Sequence, residues 1–184
     1  ALDRNDSVGV MDSYFPNARF FTEFERFDRH IEKQRRENGN KIDYVSICSP
    51  NYLHRSHIAA GLRLGCDVIC EKPLVINPWN LDALTELEEE TGRRVYTVLQ
   101  LRLHPALMAF RDKLLAAPRK RHVVQLAYLT ARGRWYDVSW KGVEERSGGI
   151  VINIGIHFFD LLTWLFGPVQ EAVVHLRDGK RAGG

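Results

Sequence analysis

Three short runs rich in β-branched residues alternate with helical segments, and this alternation constrains the fold more than any other feature. The runs cover residues 42–48, 67–70 and 94–100, and helix-like segments follow at residues 57–64, 77–91 and 104–117. Helical crossovers between consecutive strands favour a parallel sheet with right-handed connections. The chain should therefore begin with an α/β domain.

Polar residues follow the first two of these runs, at the points where buried strands would end. Ser49-Pro50-Asn51 comes after the first run, and Glu71-Lys72-Pro73 comes after the second. In open α/β sheets, ligands bind outside the carboxyl ends of the strands. This position would put the Lys72 ammonium where a cofactor and a substrate meet. The alternative is an ordinary surface lysine in a strand-to-helix turn.

Asp3 is a candidate for binding a cofactor, and the pair His54 and His57 is a candidate for binding a cofactor or a metal. Asp3 ends a strand-like start, where dinucleotide-binding folds place the acid that binds the adenosine ribose and favours NAD over NADP. Aspartate is also common at strand exits without this role. His54 and His57 are spaced like metal ligands, but no third ligand is evident, so cofactor contact or helix capping is favoured. We therefore expect no metal.

The pattern changes after residue 118, which predicts a domain boundary near Arg119. Residues 122–131 form a long alternating run, which is typical of a strand in an antiparallel sheet. Two domains follow from this boundary, residues 1–118 and residues 119–184. The second would be the start of an α+β domain with an open, largely antiparallel sheet.

A loop rich in cations and aromatic residues follows the predicted strand. Its members are Arg132, Arg134, Trp135, Tyr136, Trp140 and Lys141. Such side chains can hold an anionic sugar nucleotide by ion pairing and stacking. The aromatic residues can equally serve only to pin the loop to the core, and the sequence leaves both interpretations open.

The apolar segment 147–160 predicts a glycine-led helix with a polar stripe. At about 100° per residue, Asn153, His157 and Asp160 fall on one face of this helix. Buried polar groups need hydrogen-bond partners, so polar residues on an apolar helix indicate a structural or functional role. Gly155 lies beside it and would let a ring or a backbone approach closely. His157 is then either a hydrogen-bonded core residue or a catalytic one.

Composition narrows the classes of function. The net charge is +3 and the basic clusters have few aromatic neighbours, which argues against nucleic-acid binding. We expect no apolar run long enough to cross a bilayer, and no basic-then-apolar leader opens the chain, so we expect a cytoplasmic protein without a membrane partner. The three cysteines, Cys48, Cys66 and Cys70, lack metal-site spacing and should be buried, reduced thiols. Neither end resembles a domain edge, and we expect a fragment of a longer protein.

Three motifs, taken together, resemble those of the Gfo/Idh/MocA oxidoreductases and occur in that family's order. They are Ser49-Pro50-Asn51 with His54, Glu71-Lys72-Pro73, and Gly148-Gly149 with Asn153, Gly155, His157 and Asp160. Within the family, the runs 43–54, 66–74 and 135–142 resemble the UDP-N-acetylglucosaminuronate 3-dehydrogenases. Those enzymes serve the synthesis of bacterial surface polysaccharides such as O-antigen.

The resemblance implies a partial, N-terminally truncated Rossmann domain that binds NAD at residues 1–118, and a partial substrate-binding α+β domain at residues 119–184. It implies that Lys72 and His157 are the catalytic pair. The implied cofactor-binding residues are Asp3, Ser49, Pro50, Asn51, His54, Glu71, Lys72, Gln100 and Arg102. With the cationic loop included, the expected substrate-binding residues are Lys72, Arg132, Tyr136, Trp140, Lys141, Asn153 and His157.

The implied reaction is the NAD-dependent oxidation of a UDP-N-acetylglucosaminuronate to its 3-keto sugar, by a homo-oligomer (dimer or tetramer) at full length. Asn153 takes a position that is often aspartate in the family, and the lost negative charge suits an acidic sugar. The alternatives are another sugar or inositol as substrate, and a non-catalytic sugar-nucleotide sensor. The family's glycine-rich turn, which receives the pyrophosphate, is absent. We therefore expect this chain alone to be inactive.

Overall fold

The structure of the protein is a computed structural model that describes residues 1–5, 13–37, 42–118 and 120–175. The chain divides into two compact units, Ala1–Thr97 and Val98–Gly184. The boundary that the sequence predicts, at Arg119, falls on a residue outside the described ranges and stays a prediction.

The first unit is built on a three-stranded parallel sheet in the order β1-β2-β3. The strands are β1 (Tyr44–Ile47), β2 (Asp67–Cys70) and β3 (Val95–Thr97). Ile47 pairs with Cys70, and Cys70 pairs with Thr97, so the carboxyl ends of the strands lie side by side. The predicted parallel α/β arrangement is confirmed, with β1 and β3 shorter than their apolar runs.

Before and between the strands, the described residues include the helices α1 (Phe24–Glu37), α2 (His54–Arg63) and α3 (Trp79–Thr91). Helix α2 begins three residues earlier than predicted, because a 3₁₀ turn over Asn51–Leu53 runs directly into it. Helix α3 ends as predicted at Gly92, whose φ of 64° is the left-handed conformation of a helix C-cap.

The core of the first unit lies between one face of the sheet and helices α2 and α3. Its buried members are Ile47, Ile58, Ala59, Leu62, Val68, Cys70, Leu84 and Leu87. The closest approach of helix to sheet is at Gly61, where an added Cβ would lie 2.8 Å from Cγ2 of Val68. Side chains alternate across a strand, so Ile69 and Tyr96 fall on the opposite face, where both are exposed.

The start of the chain pairs with the segment before α1. Leu2 and Phe21 form an isolated parallel bridge, in which the Asp3 amide donates to the Phe21 carbonyl at 3.1 Å. The sequence predicts strand character at the start of the chain, and the bridge agrees with it. Asp3 therefore follows a strand-like residue, as the ribose-binding interpretation requires.

The second unit is helical in its described part. Its helices are α4 (Pro105–Ala116), α5 (Arg134–Val138), α6 (Glu144–Ser147), α7 (Gly149–Asn153) and α8 (Gly155–Phe166), with 3₁₀ turns over Gln100–Leu103 and Trp140–Gly142. Residues 122–131, expected to be a strand, form none among the described residues. A strand is defined by hydrogen bonds to a neighbouring strand. The alternating pattern of residues 122–131 is therefore not enough by itself to make this segment a strand.

The predicted single helix over residues 147–160 is broken in two places. The chain turns through Gly148 and Gly149, with φ of 80° and 66°, and it breaks again at Ile154. There the His157 amide bonds three residues back, to the Ile154 carbonyl at 3.1 Å. Asn153 thus ends α7 while His157 lies in the first turn of α8, a division that the apolar periodicity does not show.

The helical stretch Glu144–Phe166 is long and apolar enough, by length and composition alone, to pass as a membrane span. Its 23 residues contain a window of mean hydropathy 1.6, of which 11% is buried. The statement that no apolar run has this length is therefore wrong. Because the breaks at Gly148 and Ile154 divide the stretch into three helices, it is not one continuous span.

Candidate active site

The exits of β1 and β2 bring several predicted site residues to one edge of the sheet in the first unit. The pairing of Ile47 with Cys70 sets the segment after β1 beside the segment after β2, and the Glu71 amide donates to the Ile47 carbonyl at 2.9 Å. The residues gathered at this edge are Ser49, Pro50, Asn51, His54, Glu71 and Lys72. This is the edge at which open α/β sheets bind ligands.

His54 is completely buried and ties these two segments together. Its Nδ1 lies 2.7 Å from the Pro73 carbonyl oxygen, and its Nε2 lies 2.8 Å from the Ser49 carbonyl oxygen. Carbonyl oxygens only accept, so each bond is made only when that ring nitrogen carries a proton. The imidazole thereby holds Pro73, and with it the preceding Lys72, against the turn after β1. Cofactor contact by His54 stays a prediction, and its ring nitrogens are bonded within the chain.

His57 lies one turn further along α2 and bonds to the same exit segment. Its Nδ1 is 3.0 Å from the Ser49 hydroxyl, and the Phe24 ring stacks on the imidazole with centroids 5.5 Å apart. Burial, and then the neighbouring His54, lower the pKa of His57. Among the described residues, no group of three or more His, Cys, Asp or Glu side chains is placed to hold a metal ion.

Two cysteines of the first unit are buried, namely Cys66 directly before β2 and Cys70 at the end of β2, whereas Cys48 is exposed. The prediction of buried thiols is therefore wrong for Cys48. Burial raises the pKa of the Cys66 thiol, and it raises the pKa of Cys70 to about 12. These two buried side chains are therefore neutral packing groups near neutral pH.

Gln100 and Arg102 lie in the second unit, on a 3₁₀ turn, whereas the sequence predicts Gln100 as the last residue of a strand. Arg102 makes a two-pronged ion pair with Asp160 of α8: its Nε donates to Oδ2 at 2.9 Å, and its Nη2 donates to Oδ1. This hydrogen bonding raises the pKa of Arg102. Sequence reasoning places Asp160 on the polar stripe but does not identify this partner, because the two residues are 58 positions apart.

Asn153 and His157 flank the break between α7 and α8. Asn153 is buried at the end of α7, and His157 is half-buried in the first turn of α8. The next residue, Phe158, packs its ring against Tyr128 with centroids 5.0 Å apart. The predicted stripe on one helix is therefore divided, with Asn153 on α7 and with His157 and Asp160 on α8.

The cationic loop is held by cation–π contacts of its own side chains. The Arg132 guanidinium lies 5.1 Å from the Tyr136 ring centroid, and Lys141 Nζ lies 5.7 Å from the centroids of both Trp135 and Trp140. Tyr136 is buried, which supports the pinning role left open by the sequence. Within the described part of the chain, Nε of Arg132 is buried without a hydrogen-bond acceptor. The loop therefore also has capacity to bind an anion.

The two predicted catalytic residues belong to different units of the chain. Lys72 lies in Ala1–Thr97, next to the buried Pro73, and His157 lies in Val98–Gly184. The first unit gathers the residues after β1 and β2, and the second unit holds the Arg102–Asp160 pair and the cationic loop. Convergence of Lys72 and His157 on one substrate stays a prediction.

Comparison with known proteins identifies both halves of the chain. Residues 1–99 match a family model described as an oxidoreductase family with an NAD-binding Rossmann fold, and residues 122–183 match the C-terminal alpha/beta domain of that oxidoreductase family. The WlbA (WbpB) dehydrogenase from Thermus thermophilus, solved in complex with NAD and UDP-GlcNAcA, is 49% identical with a TM-score of 0.85. The match covers 96% of this chain and 57% of that one.

Two curated relatives match at lower identity. D-glucoside 3-dehydrogenase of Escherichia coli (strain K12) is 32% identical over 139 residues, which cover 72% of this chain and 38% of the relative. Inositol 2-dehydrogenase of Rhizobium meliloti (strain 1021) is 30% identical over 139 residues, which cover 74% of this chain and 40% of the relative. The chain thus spans well under two thirds of the length of these proteins. It belongs to the Gfo/Idh/MocA family of oxidoreductases, whose NAD-binding Rossmann fold matches residues 1–99.

Proposed function

We propose that the complete protein carrying this chain is an NAD-dependent dehydrogenase that oxidises carbon three of UDP-N-acetylglucosaminuronate to a ketone. The observation that carries the proposal is the 49% identity, over 96% of this chain, to a dehydrogenase crystallised with NAD and UDP-GlcNAcA. The resemblance supports a cytoplasmic homo-oligomer that serves surface-polysaccharide synthesis.

The residues at the carboxyl edge of the sheet fit NAD chemically. The exits of β1 and β2 offer the Ser49 hydroxyl, the Asn51 amide and the Glu71 carboxylate within one unit. Hydroxyl, amide and carboxylate groups suit the hydroxyls and the carboxamide of a dinucleotide. Asp3 would bind the adenosine ribose. Gln100 completes the proposed set from the second unit.

His157 is the proposed base, and Lys72 is the proposed stabiliser of the reacting oxygen. NAD, when bound, would supply the acceptor for the hydride of carbon three. The proton of the carbon-three hydroxyl passes to the imidazole of His157, because histidine is the side chain that most often serves as a general base. The Lys72 ammonium hydrogen-bonds the same oxygen and stabilises the negative charge that develops on it. The reverse assignment would require a neutral lysine, and therefore strong desolvation.

The cationic loop and Asn153 support an acidic sugar nucleotide. Arg132 and Lys141 supply positive charge, and the buried Nε of Arg132 has no acceptor within the described residues. Anionic groups of the substrate would supply one. Asn153 brings no second carboxylate that would repel the sugar acid.

A neutral sugar or an inositol is the rival substrate. The observation that favours it is the similarity, at 32% and 30% identity, to D-glucoside 3-dehydrogenase and inositol 2-dehydrogenase. NADH formation by the complete protein with UDP-N-acetylglucosaminuronate, UDP-N-acetylglucosamine, a D-glucoside and myo-inositol separates the two. We expect the highest kcat/KM for the uronate, and an equal or higher value for a neutral compound would reject the acidic sugar as the substrate.

Variants of the catalytic pair test the mechanism. Lys72→Met and His157→Asn should each reduce turnover by at least about 100-fold, because each removes a group that acts on the transition state. The affinity for NAD, measured by calorimetry, should stay nearly unchanged. Lys113→Met and His104→Asn, at exposed positions of the second unit, are the matched controls. Normal turnover in either site variant would remove that residue from the mechanism.

A further inference from the structure

We infer that the Arg102–Asp160 ion pair is a positioning element, which fixes helix α8 and the His157 that it carries to the 3₁₀ turn Gln100–Leu103. The inference rests on the proposed function, in which His157 is the base. It also assigns Arg102 a role different from the cofactor contact implied by the family resemblance.

The ion pair has the geometry of a strong tether. Two donors of the guanidinium, Nε and Nη2, meet the two oxygens of one carboxylate, which is the paired arrangement that gives direction as well as energy. The Asp160 side chain is 10% exposed and that of Arg102 is 43% exposed, so the contact is shielded on the carboxylate side. The ion pairs along α1 instead join residues three or four positions apart on an exposed helix surface, where such pairs contribute little.

The partners are placed where a tether has an effect on His157. Asp160 lies three residues after His157 on α8, so the two share one side of the helix. Arg102 lies on a turn fixed by its own hydrogen bonds, from the Arg102 amide to Leu99 and from the His104 amide to Leu101. The pair therefore joins a hydrogen-bonded turn to the helical turn that carries the proposed base.

The break at Ile154 explains why α8 needs such a contact. A continuous helix from Gly149 onward would fix the direction of α8 through its own backbone ladder, but the ladder is interrupted one residue before α8 begins. Ring contacts along α8 join Phe158 to Tyr128, His122 to Phe166 and the Arg111 guanidinium to Trp164. The last two lie in the later turns of the helix, beyond Asp160. Near His157, the two-pronged ion pair adds a directional contact to the packing of the Phe158 ring.

The test measures turnover and cofactor affinity in the complete protein. The variants are Arg102→Gln, Asp160→Asn, the conservative Arg102→Lys, and the charge-exchanged double variant Arg102→Asp with Asp160→Arg. Arg63→Gln, an exposed arginine at the end of α2, is the matched control. Displacement of a catalytic group by about 1 Å can cost on the order of 100-fold in rate. We expect kcat to fall about 10- to 100-fold in the Gln and Asn variants, with KM and the NAD dissociation constant within about twofold of wild type.

Recovery decides between positioning and direct contact. Arg102→Lys and the charge-exchanged variant should each regain part of the lost kcat, because each restores attraction between turn and helix. A weakened NAD affinity in Arg102→Gln that is absent in Asp160→Asn would make Arg102 a cofactor contact and overturn the inference. An unchanged kcat in both single variants would overturn it as well.

A second readout separates this inference from the proposed function. Hydrogen exchange of the backbone amides of residues 158–166 should be faster in Arg102→Gln than in wild type or Arg63→Gln, whatever the substrate is. If the wild-type protein oxidises no sugar nucleotide, the proposed function fails, and amide exchange still tests the tether. Unchanged exchange in α8 would contradict it.

Discussion

The imidazole of His57 lies between the Ser49 hydroxyl and the Phe24 ring, in a setting that disfavours its charged form. Burial and the neighbouring His54 lower its pKa below the ordinary value of 6.5. The unfolded chain therefore binds a proton on this residue at a higher pH than the folded chain does. The stability that neutral His57 contributes is present above pH 6.5, and it is lost as the pH falls from there through the folded pKa.

The lowered pKa of His57 predicts how the stability of the protein changes on acidification. Between pH 7 and about pH 5.5, the wild-type free energy of unfolding should fall more steeply than that of His57→Gln, because the variant lacks the titrating group. Urea denaturation at the two pH values measures both slopes. His104→Gln, at an exposed position, should keep the wild-type slope. A slope in His57→Gln equal to the wild-type slope would show that His57 is not the group responsible.

At the scale of single residues, some features of the site could be predicted from the sequence and others could not. The exits after β1 and β2 were predictable, because polar residues directly follow apolar runs and parallel strands align their carboxyl ends. The bonds of His54 to two carbonyl groups were not, since they depend on how the Ser49 and Pro73 segments face each other. The Arg102–Asp160 pair was not predictable for the same reason, because no local pattern links residues so distant in sequence.

Among the helices and strands, some were predicted correctly from the sequence and others were not. Helices with a clear stop signal were predicted well, as at Gly92, and β2 was predicted with its exact bounds. The helix break at Ile154 was missed because all the surrounding residues suit a continuous apolar helix. The run 122–131 was misjudged because an alternating pattern describes one face of a sheet but does not supply the neighbouring strand.

The turn between α6 and α7 allows an element-scale prediction. Gly148 has a φ of 80°, and an added Cβ would lie 2.8 Å from Cβ of Ile152, whereas at Gly149, with a φ of 66°, the nearest atom is 3.5 Å away. In both alanine variants the free energy of unfolding should fall by about 1–2 kcal/mol, because alanine disfavours the left-handed backbone conformation. In Gly148→Ala the free energy of unfolding should fall by about a further 1–3 kcal/mol, because the added methyl group overpacks against Ile152.

The comparison of neighbouring glycines isolates the steric contribution. Thermal unfolding of the two variants, followed by circular dichroism, should give the lower midpoint for Gly148→Ala. Equal midpoints would mean that Ile152 moves aside at little cost and that only the backbone conformation requires glycine here.

For the whole molecule, the family was recognisable because its motifs are distributed over both units of the chain. Glu71-Lys72-Pro73 alone is compatible with a surface turn, and the Gly148–Asp160 stripe alone is compatible with a buried histidine. Only their joint occurrence, in order and with Ser49-Pro50-Asn51, pointed to one reaction. These motifs do not identify the substrate, because the proteins that match this chain include a D-glucoside 3-dehydrogenase, an inositol 2-dehydrogenase and a dehydrogenase crystallised with UDP-GlcNAcA.

In the proposed reaction, hydride leaves carbon three of an acidic UDP-sugar while Lys72 and His157 act on the oxygen of that carbon. The most direct measurement uses UDP-N-acetylglucosaminuronate with deuterium at carbon three, the complete protein and unlabelled NAD, followed by mass spectrometry of both products. We predict that the deuterium appears in the reduced cofactor and is lost from the sugar. Deuterium that remains in the sugar while unlabelled NADH accumulates would contradict the proposed reaction.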